Sequence, residues 1–469
     1  MPKQIFDTLV IGGGVVGCAI IRELSKYNLS VALVEKESDV GEGTSKGNSA
    51  IMHTGFDAKP GSLEARLVGS GSVEFRTQVA PAMNLPCEKI GALVIAYDDD
   101  QKNELDQVIA RAASNGVDEV KRVTPDEIYA LEPHLAPGVK GAVSVANESI
   151  VDPFAPPIAY ASQACLNGAR LMLNSTVTGL RELDGECHEV ITTSGSYYAR
   201  YLINAAGLWG DSVDGFLAIE NFHIKPRRGE FIIFDTAASR LVSHIMLQVP
   251  TPKTKGILIS PTIFGNVILG PTADDIEDRG SPGITRDGMD KIRKLGAKVM
   301  PELLQEDITS TYAGTRPATE FSDYQITFNG DRRYVTAGGI RSTGLSSALA
   351  IARYVVEGLA DMGLSLKEAD NFKDYRRLNS LSEYAPRPYQ QVERIKANPK
   401  YGQMVCFCEM VSEQEILDAM QEPIGAASLK SIRKRTRAMM GRCQGFNCAP
   451  KVNGMLFDHN GVDIKSLVA

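Results

Sequence analysis

The stretch FDTLVIGGGVVGCAIIRELSKYNLSVALVE at 6–35 constrains this chain more than any other. An apolar strand, DTLVI, runs into Gly12-x-Gly14-x-x-Gly17. An apolar-periodic helix follows, and a second strand, VALVE, ends on Glu35. This is the βαβ dinucleotide fingerprint with both strands and the helix in place. The glycines permit a tight turn and close backbone approach to a pyrophosphate. The helix N-terminus faces the phosphates, and the acid after the second strand can bond a ribose hydroxyl. The loop alone does not separate NAD from FAD.

Two later segments narrow the choice. In YLINAAGLWGDSV at 201–213 a strand ends in small residues, which let the chain pass close to a flat or phosphorylated ligand. In RRYVTAGGIRSTGLSSALAIARYVVEGLA at 332–360 a strand reaches Gly338-Gly339, and a long small-residue helix begins near Thr343. The positive end of such a helix, set against a flavin, would stabilise negative charge on the reduced ring.

The 469 residues, 43% hydrophobic, suffice for two to three domains at roughly 150 residues each. A net charge of -7 argues against nucleic acid as a partner. The apolar N-terminal run is broken by Asp7 and three glycines and is shorter than the ~20 residues that span a bilayer. A cytoplasmic protein without a transmembrane segment is expected, with peripheral docking through a membrane partner left open.

Eight cysteines in such a compartment are not expected to form disulfides. Cys18, Cys87, Cys165 and Cys187 are scattered, and Cys18 reads as core filler. The other four form a pattern, Cys406-x-Cys408 and Cys443-x4-Cys448, with two helical patterns and a turn between the pairs. Four thiolates suit zinc or a [2Fe–2S] cluster. Structural zinc favours C-x2-C pairs, so this spacing leans toward iron–sulfur. The basic residues Lys430, Arg433, Lys434, Arg435 and Arg437 read as a solvated helix face, or as charge compensation for a cluster or an acidic redox partner.

GGGVVGCAIIRELSKY, NAAGLWGD and AGGIRSTGLSSALAIA, in this order, resemble the FAD-dependent oxidoreductases of the D-amino-acid-oxidase/glycerol-3-phosphate-dehydrogenase class. EGTSKGNSAIMHTGFDAKPGSLEARL at 42–67 is similar to the segment with which that class wraps its flavin. VCFCEMVSEQEI…SIRKRTRAMMGRCQGFNC resembles the C-terminal domain of the large chain of anaerobic glycerol-3-phosphate dehydrogenases and the bacterioferritin-associated ferredoxin type of [2Fe–2S] module. The resemblance implies an α/β fold: a Rossmann-like FAD-binding domain from 1–80, 145–215 and 330–370, an interleaved α+β substrate domain from 81–144 and 216–329, a connector at 371–402, and a small helical iron–sulfur domain at 403–469. PRRGEFIIFDT and GILISPTIFGNVILGPT read as strands, DDDQKNELDQVIARAAS and TPDEIYALEPHL as helices with acidic starts, and the proline-bearing connector as extended and lying on the first domain.

The resemblance also assigns residues. FAD contacts fall on Gly12, Gly14, Val15, Val16, Gly17, Glu35, Lys36, Thr44, Ser45, Asn48, Ser49, Val177, Ala206, Gly207, Trp209, Gly339, Arg341, Thr343, Gly344 and Leu345, and cluster ligation on Cys406, Cys408, Cys443 and Cys448. His53 is the candidate base, a neutral imidazole with a pKa near ~6.5 that takes a hydroxyl proton, or else a flavin-positioning residue. Arg316 and Arg341 are candidate anchors for an anionic substrate, with structural salt bridges as the alternative, and Arg227 and Arg228 stand behind them. The other histidines, at 134, 188, 223, 244 and 459, lie outside any motif. The implied reaction is oxidation of a small anionic secondary alcohol, glycerol 3-phosphate before L-2-hydroxyglutarate or an amino or imino acid. The electrons would leave through the cluster to redox partner subunits, either a second flavoprotein or a quinone-linked one. A chain that only transfers electrons, without a substrate of its own, also stays open.

Overall fold

A computed structural model describes residues 4–183, 187–249, 256–280, 282–377 and 386–461. Its first sheet is built around the strand Ile5–Ile11, which lies parallel to Val31–Val34 on one side and to Gly195–Asn204 on the other. Arg170–Met172 extends the sheet beyond Val31–Val34. Tyr334–Gly338 runs parallel to the end of Gly195–Asn204 and pairs antiparallel with Gln325–Asn329. Helices cover the sheet, so its central strands are nearly continuous apolar runs. Val15–Leu24 and Leu63–Glu74 both pack on Gly344–Asp361, in a core that includes Leu24, Leu33, Phe75, Leu349 and Val355.

The second sheet draws its nine strands from 92–145 and 225–318. Its long pair, Lys225–Phe234 with Ile308–Ala318, is antiparallel and sets Arg227 opposite Arg316 and Gly229 opposite Gly314. PRRGEFIIFDT lies in the first of these, and GILISPTIFGNVILGPT supplies Leu258–Pro261 and Val267–Gly270. The two acid-started helices form for the reason their sequences suggest. Asp98 accepts the amide of Gln101 ahead of Asp99–Ser114, and Thr124 with Glu127 closes a capping box on Pro125–Leu131. Gln325–Asn329 belongs to the first sheet, so a boundary at 330 cuts through an antiparallel pair.

The connector departs from the expected extended form. Its start is tied by the Arg377 amide to the Met83 carbonyl, and Met83 packs in the first sheet's core although it lies past the expected boundary at 80. From 388 on the connector is a series of helical turns, Pro388–Gln390, Val392–Ala397 and Pro399–Gly402. Pro388 and Pro399 stand at the first helical position, where proline starts a turn instead of breaking one. Residues 378–385 of the connector and 462–469 of the last domain lie outside the described residues. The C-terminal unit has its own core of Val405, Ile416, Ile432, Val452 and Leu456. Among the described residues no helix is long and apolar enough to cross a membrane.

Candidate functional site

The glycine loop is built for close approach. Gly12 has φ +105°, and a Cβ there would lie 2.5 Å from the Ala205 carbonyl oxygen. A Cβ on Gly17 would run into the carbonyl of Gly12, so the helix sits directly on the turn. At Gly14 an added Cβ would meet only Ser45 Oγ, at 3.4 Å, which leaves a cradle open in front of the helix start. That helix has no side-chain cap of its own; the Val15 amide is met by Ser45 Oγ at 2.9 Å. Glu35 is held at the strand end by the amides of Gly13 and Glu37, and burial raises its carboxyl above the usual range. Lys36 Nζ lies 5.4 Å from the centre of the Trp209 ring. Asn204 pins the 204–210 turn, donating to Gly210 O and Asp214 Oδ1, and Gly207 takes φ +56° with open space before it.

Two more of the expected FAD contacts, Ser45 and Gly344, meet the start of the glycine-loop helix. Gly344, at the start of Gly344–Asp361, faces Val15 and Val16. Its helix has no side-chain cap, so its positive end is open, while Gly339 has φ +63° and Thr343 Oγ1 donates to Glu64 Oε1 at 2.7 Å. Thr44 Oγ1 donates to the Thr315 carbonyl, Asn48 Nδ2 to Ser45 O, and the Tyr312 hydroxyl to Asn48 O. The 44–48 segment is thereby laid on the strand Ile308–Ala318, at a point where Gly47 and Gly314 leave no room for side chains. Val177, half-buried at a strand start, packs on the cluster of Phe6, Leu9 and Val34, and the amide of Ser175 just before it donates to the Glu35 carbonyl.

His53 is anchored twice. Its amide donates to Ser346 Oγ at 2.8 Å, and its Nδ1 lies 3.0 Å from Glu148 Oε2. Glu148 is fully buried and also accepts the amide and hydroxyl of Thr54, at 2.6 and 2.7 Å. Burial works against a charge on His53. The Glu148 carboxylate and its hydrogen bond, helped by Asp57 and Glu64, overcome this and raise the imidazole to about 9. The same contact overcomes burial at Glu148 and lowers its carboxyl. A buried carboxylate absent from any motif thus stands beside His53 and favours its protonated form over the neutral imidazole expected at pH 7.

The four arginines separate by partner. Arg227 is bidentate to Asp275, at 2.6 and 3.1 Å. Arg228 lies 3.7 Å from Glu230 and 3.8 Å from Asp274. Arg341 Nη2 is 2.9 Å from Glu64 Oε2, the structural salt bridge weighed for it. Arg316 is half-buried and, among the described residues, faces no carboxylate. Burial and the neighbouring Arg227 work against its charge. His134, His223 and His244 each face a glutamate, and His188 bonds the Arg332 carbonyl.

In the C-terminal unit the thiols form two pairs, Cys408 with Cys443 and Cys406 with Cys448. The Asn447 amide above all, with those of Gly445 and Phe446 and the Cys408 thiol, holds Cys443 below its usual range. Burial and Cys406 push Cys448 up to about 12, a thiol that needs a metal's charge to ionise. Two pairs of thiols suit a two-iron centre, in which each iron takes two of the four sulfurs. The adjoining basic helix is not a solvated face. Lys430 is exposed and Arg433 half-buried, but Lys434, Arg435 and Arg437 are buried in ion pairs, which a one-dimensional charge run cannot reveal.

Residues 7–358 match the family described as FAD dependent oxidoreductase, and residues 404–457 the BFD-like [2Fe-2S] binding domain. The chain is 35% identical over 468 residues to a glycerol 3-phosphate dehydrogenase of Caloramator mitchellensis, covering 99% of this chain and 96% of that one. It is 25% identical over 497 residues to one of the subunits of the anaerobic glycerol-3-phosphate dehydrogenase of Escherichia coli (strain K12), covering 97% and 88%. The dithionite-reduced L-alpha-glycerophosphate oxidase from Mycoplasma pneumoniae with FAD bound superposes with a TM-score of 0.76 at 28% identity, over 80% of this chain and 99% of that one. With the open glycine cradle and the paired thiols, these likenesses place the chain in the FAD-dependent oxidoreductase family, as an enzyme with FAD in its N-terminal fold and a [2Fe–2S] cluster in its C-terminal domain.

Proposed function

We propose that this enzyme oxidises glycerol 3-phosphate to dihydroxyacetone phosphate and passes the electrons outward through its cluster. Bound FAD supplies a two-electron hydride acceptor and the [2Fe–2S] cluster a one-electron carrier. The observation that carries the reading is Arg316, a half-buried guanidinium without an acid, on the strand that the 44–48 segment grips through Thr44 and Asn48. Arg316 would hold the phosphate with two parallel bonds. Five residues beyond that segment, His53 donates an Nδ1–H hydrogen bond to Glu148, so once the Nε2 proton has passed to solvent, Nε2 is free to take the hydroxyl proton. Arg341 holds Glu64, and Glu64 accepts from Thr343, so this pair orders the start of Gly344–Asp361. The full-length dehydrogenase relative and the glycerophosphate oxidase structure support the substrate.

In this reading the cofactor contacts and the four cysteine ligands are those assigned from the resemblance. The acceptor is a partner redox protein, a reading supported by the Escherichia coli relative being named as a subunit. The chain works in the cytoplasm, free or peripheral to a membrane. Anaerobic addition of glycerol 3-phosphate, L-2-hydroxyglutarate, L-lactate and L-proline in turn tests the substrate: flavin bleaching by the first at the lowest concentration is the expected result. Bleaching by L-2-hydroxyglutarate alone would transfer the reading to 2-hydroxy acids, and bleaching by none would leave a chain that only transfers electrons.

A further inference from the structure

The iron–sulfur domain grips the loop that leaves the dinucleotide fold. Arg435 holds Asp39 with two bonds, Nη1 to Oδ2 at 2.6 Å and Nη2 to Oδ1 at 3.1 Å. Lys434 Nζ donates to the Val40 carbonyl at 2.8 Å and lies 3.0 Å from Asp39 Oδ2 and 2.7 Å from Glu42 Oε1. None of these four side chains is more than 8% exposed. The loop follows Glu35 and reaches the phosphate turn itself, where the Gly41 amide donates to the Gly13 carbonyl at 2.8 Å.

Other ties act in the same sense. Arg377 lies between Asp152 and Glu422, at 3.6 and 3.5 Å, and donates to the Arg435 carbonyl. Arg437 bonds Glu409, next to Cys408, and lies 3.7 Å from the centre of the Phe264 ring in the second sheet's unit. Arg442, next to Cys443, reaches Asp235 from an exposed position and adds little. Surface ion pairs would leave a domain free to swing. Buried ones tie it more firmly, because a swing would have to break several charge-assisted hydrogen bonds at once.

We propose that Asp39, Glu42, Lys434 and Arg435 are positioning residues that lock the [2Fe–2S] domain onto the flavin-binding loop, so that electrons reach the cluster in one fixed docked arrangement and not by a domain swing. The proposal rests on the reading that flavin and cluster exchange electrons within the chain. The lock acts on the cluster's place and not on the substrate chemistry, so the two steps separate.

The test uses the anaerobic holoenzyme, with flavin bleaching and cluster reduction followed at separate wavelengths after mixing with glycerol 3-phosphate. In the parent protein the cluster phase should not respond when sucrose raises the viscosity; a rate that falls with viscosity would overturn the fixed relay. In Lys434→Met, flavin bleaching should continue while the cluster phase slows about tenfold, as for a docked state populated one time in ten. Amide exchange at 36–46 and 429–437 should speed up in the same variant. Amides as protected as in the parent, or a cluster phase unchanged despite faster exchange, would overturn the lock. The viscosity arm needs no variant, so a Lys434→Met chain that does not fold leaves the proposal open to refutation. Reduction by light and a deazaflavin starts the same phases without substrate, so failure of the substrate reading shows as absent bleaching by glycerol 3-phosphate alone.

Discussion

The Nδ1 atom of His53 lies 3.0 Å from Oε2 of Glu148, a residue 95 positions further along the chain. The contact turns a histidine that would titrate near 6.5 into one held protonated to about 9. In free enzyme the base form thus grows as pH rises, and kcat/KM for glycerol 3-phosphate should climb through about 9 before levelling. Glu148→Gln should move that limb toward acid. A pH profile of initial rates with an artificial acceptor checks both, and a limb that stays in place in Glu148→Gln would refute the pairing.

The same pair contributes to stability over a bounded range. The folded His53 pKa is raised, so its share is complete below 6.5 and is lost as pH rises through about 9. The folded Glu148 pKa is lowered, so its share is present above the ordinary carboxylate range and is lost in acid. Thermal melts of parent and His53→Gln should therefore differ most between about pH 5 and 6.5 and converge toward pH ~10.

Arg316 and Arg227 face each other across two strands but should behave differently. Losing a charge-assisted bond costs about 1.5–3 kcal/mol, so Arg316→Met should raise KM for glycerol 3-phosphate by roughly ten- to a hundredfold, with kcat less affected. Arg227→Met, which breaks a more exposed pair with Asp275, should change KM little. Steady-state kinetics on both variants decides the assignment; equal effects would remove Arg316 from the substrate site.

Gly12→Ala forces a side chain into φ +105° against the Ala205 carbonyl. The variant should purify with little flavin, read as the ratio of visible to ultraviolet absorbance, and should retain its iron. Full flavin occupancy would show that the turn does not need that approach.

Cys443→Ser removes the thiol that backbone amides best hold as a thiolate. Iron and acid-labile sulfide should fall to a small fraction of the parent's, while substrate still bleaches the flavin. Zinc in place of iron in the anaerobically purified parent would contradict the two-pair reading of the thiols.

Local order carries some features by itself. Gly12-x-Gly14-x-x-Gly17 between two apolar strands, the capping signals at Asp98 and Thr124, and the thiol pairs around 406 and 443 each depend on neighbours within a few residues, and the family likeness followed from them. The prolines of the connector misled, because proline signals an extended break and a helix start equally well, and only the following residues decide.

Linear order thus determined the family, the two cofactors and the candidate groups at His53, Arg316 and the cysteines. Folding alone decided their states: which arginine lacks an acid, that Glu148 charges His53, and that Lys434 and Arg435 are buried against Asp39 and Glu42 instead of facing water. The physical reason is that charge state and ion-pair strength depend on distance and dielectric. Both are set by which distant segments meet, and positions 39 and 435 or 53 and 148 have no local signal that they do.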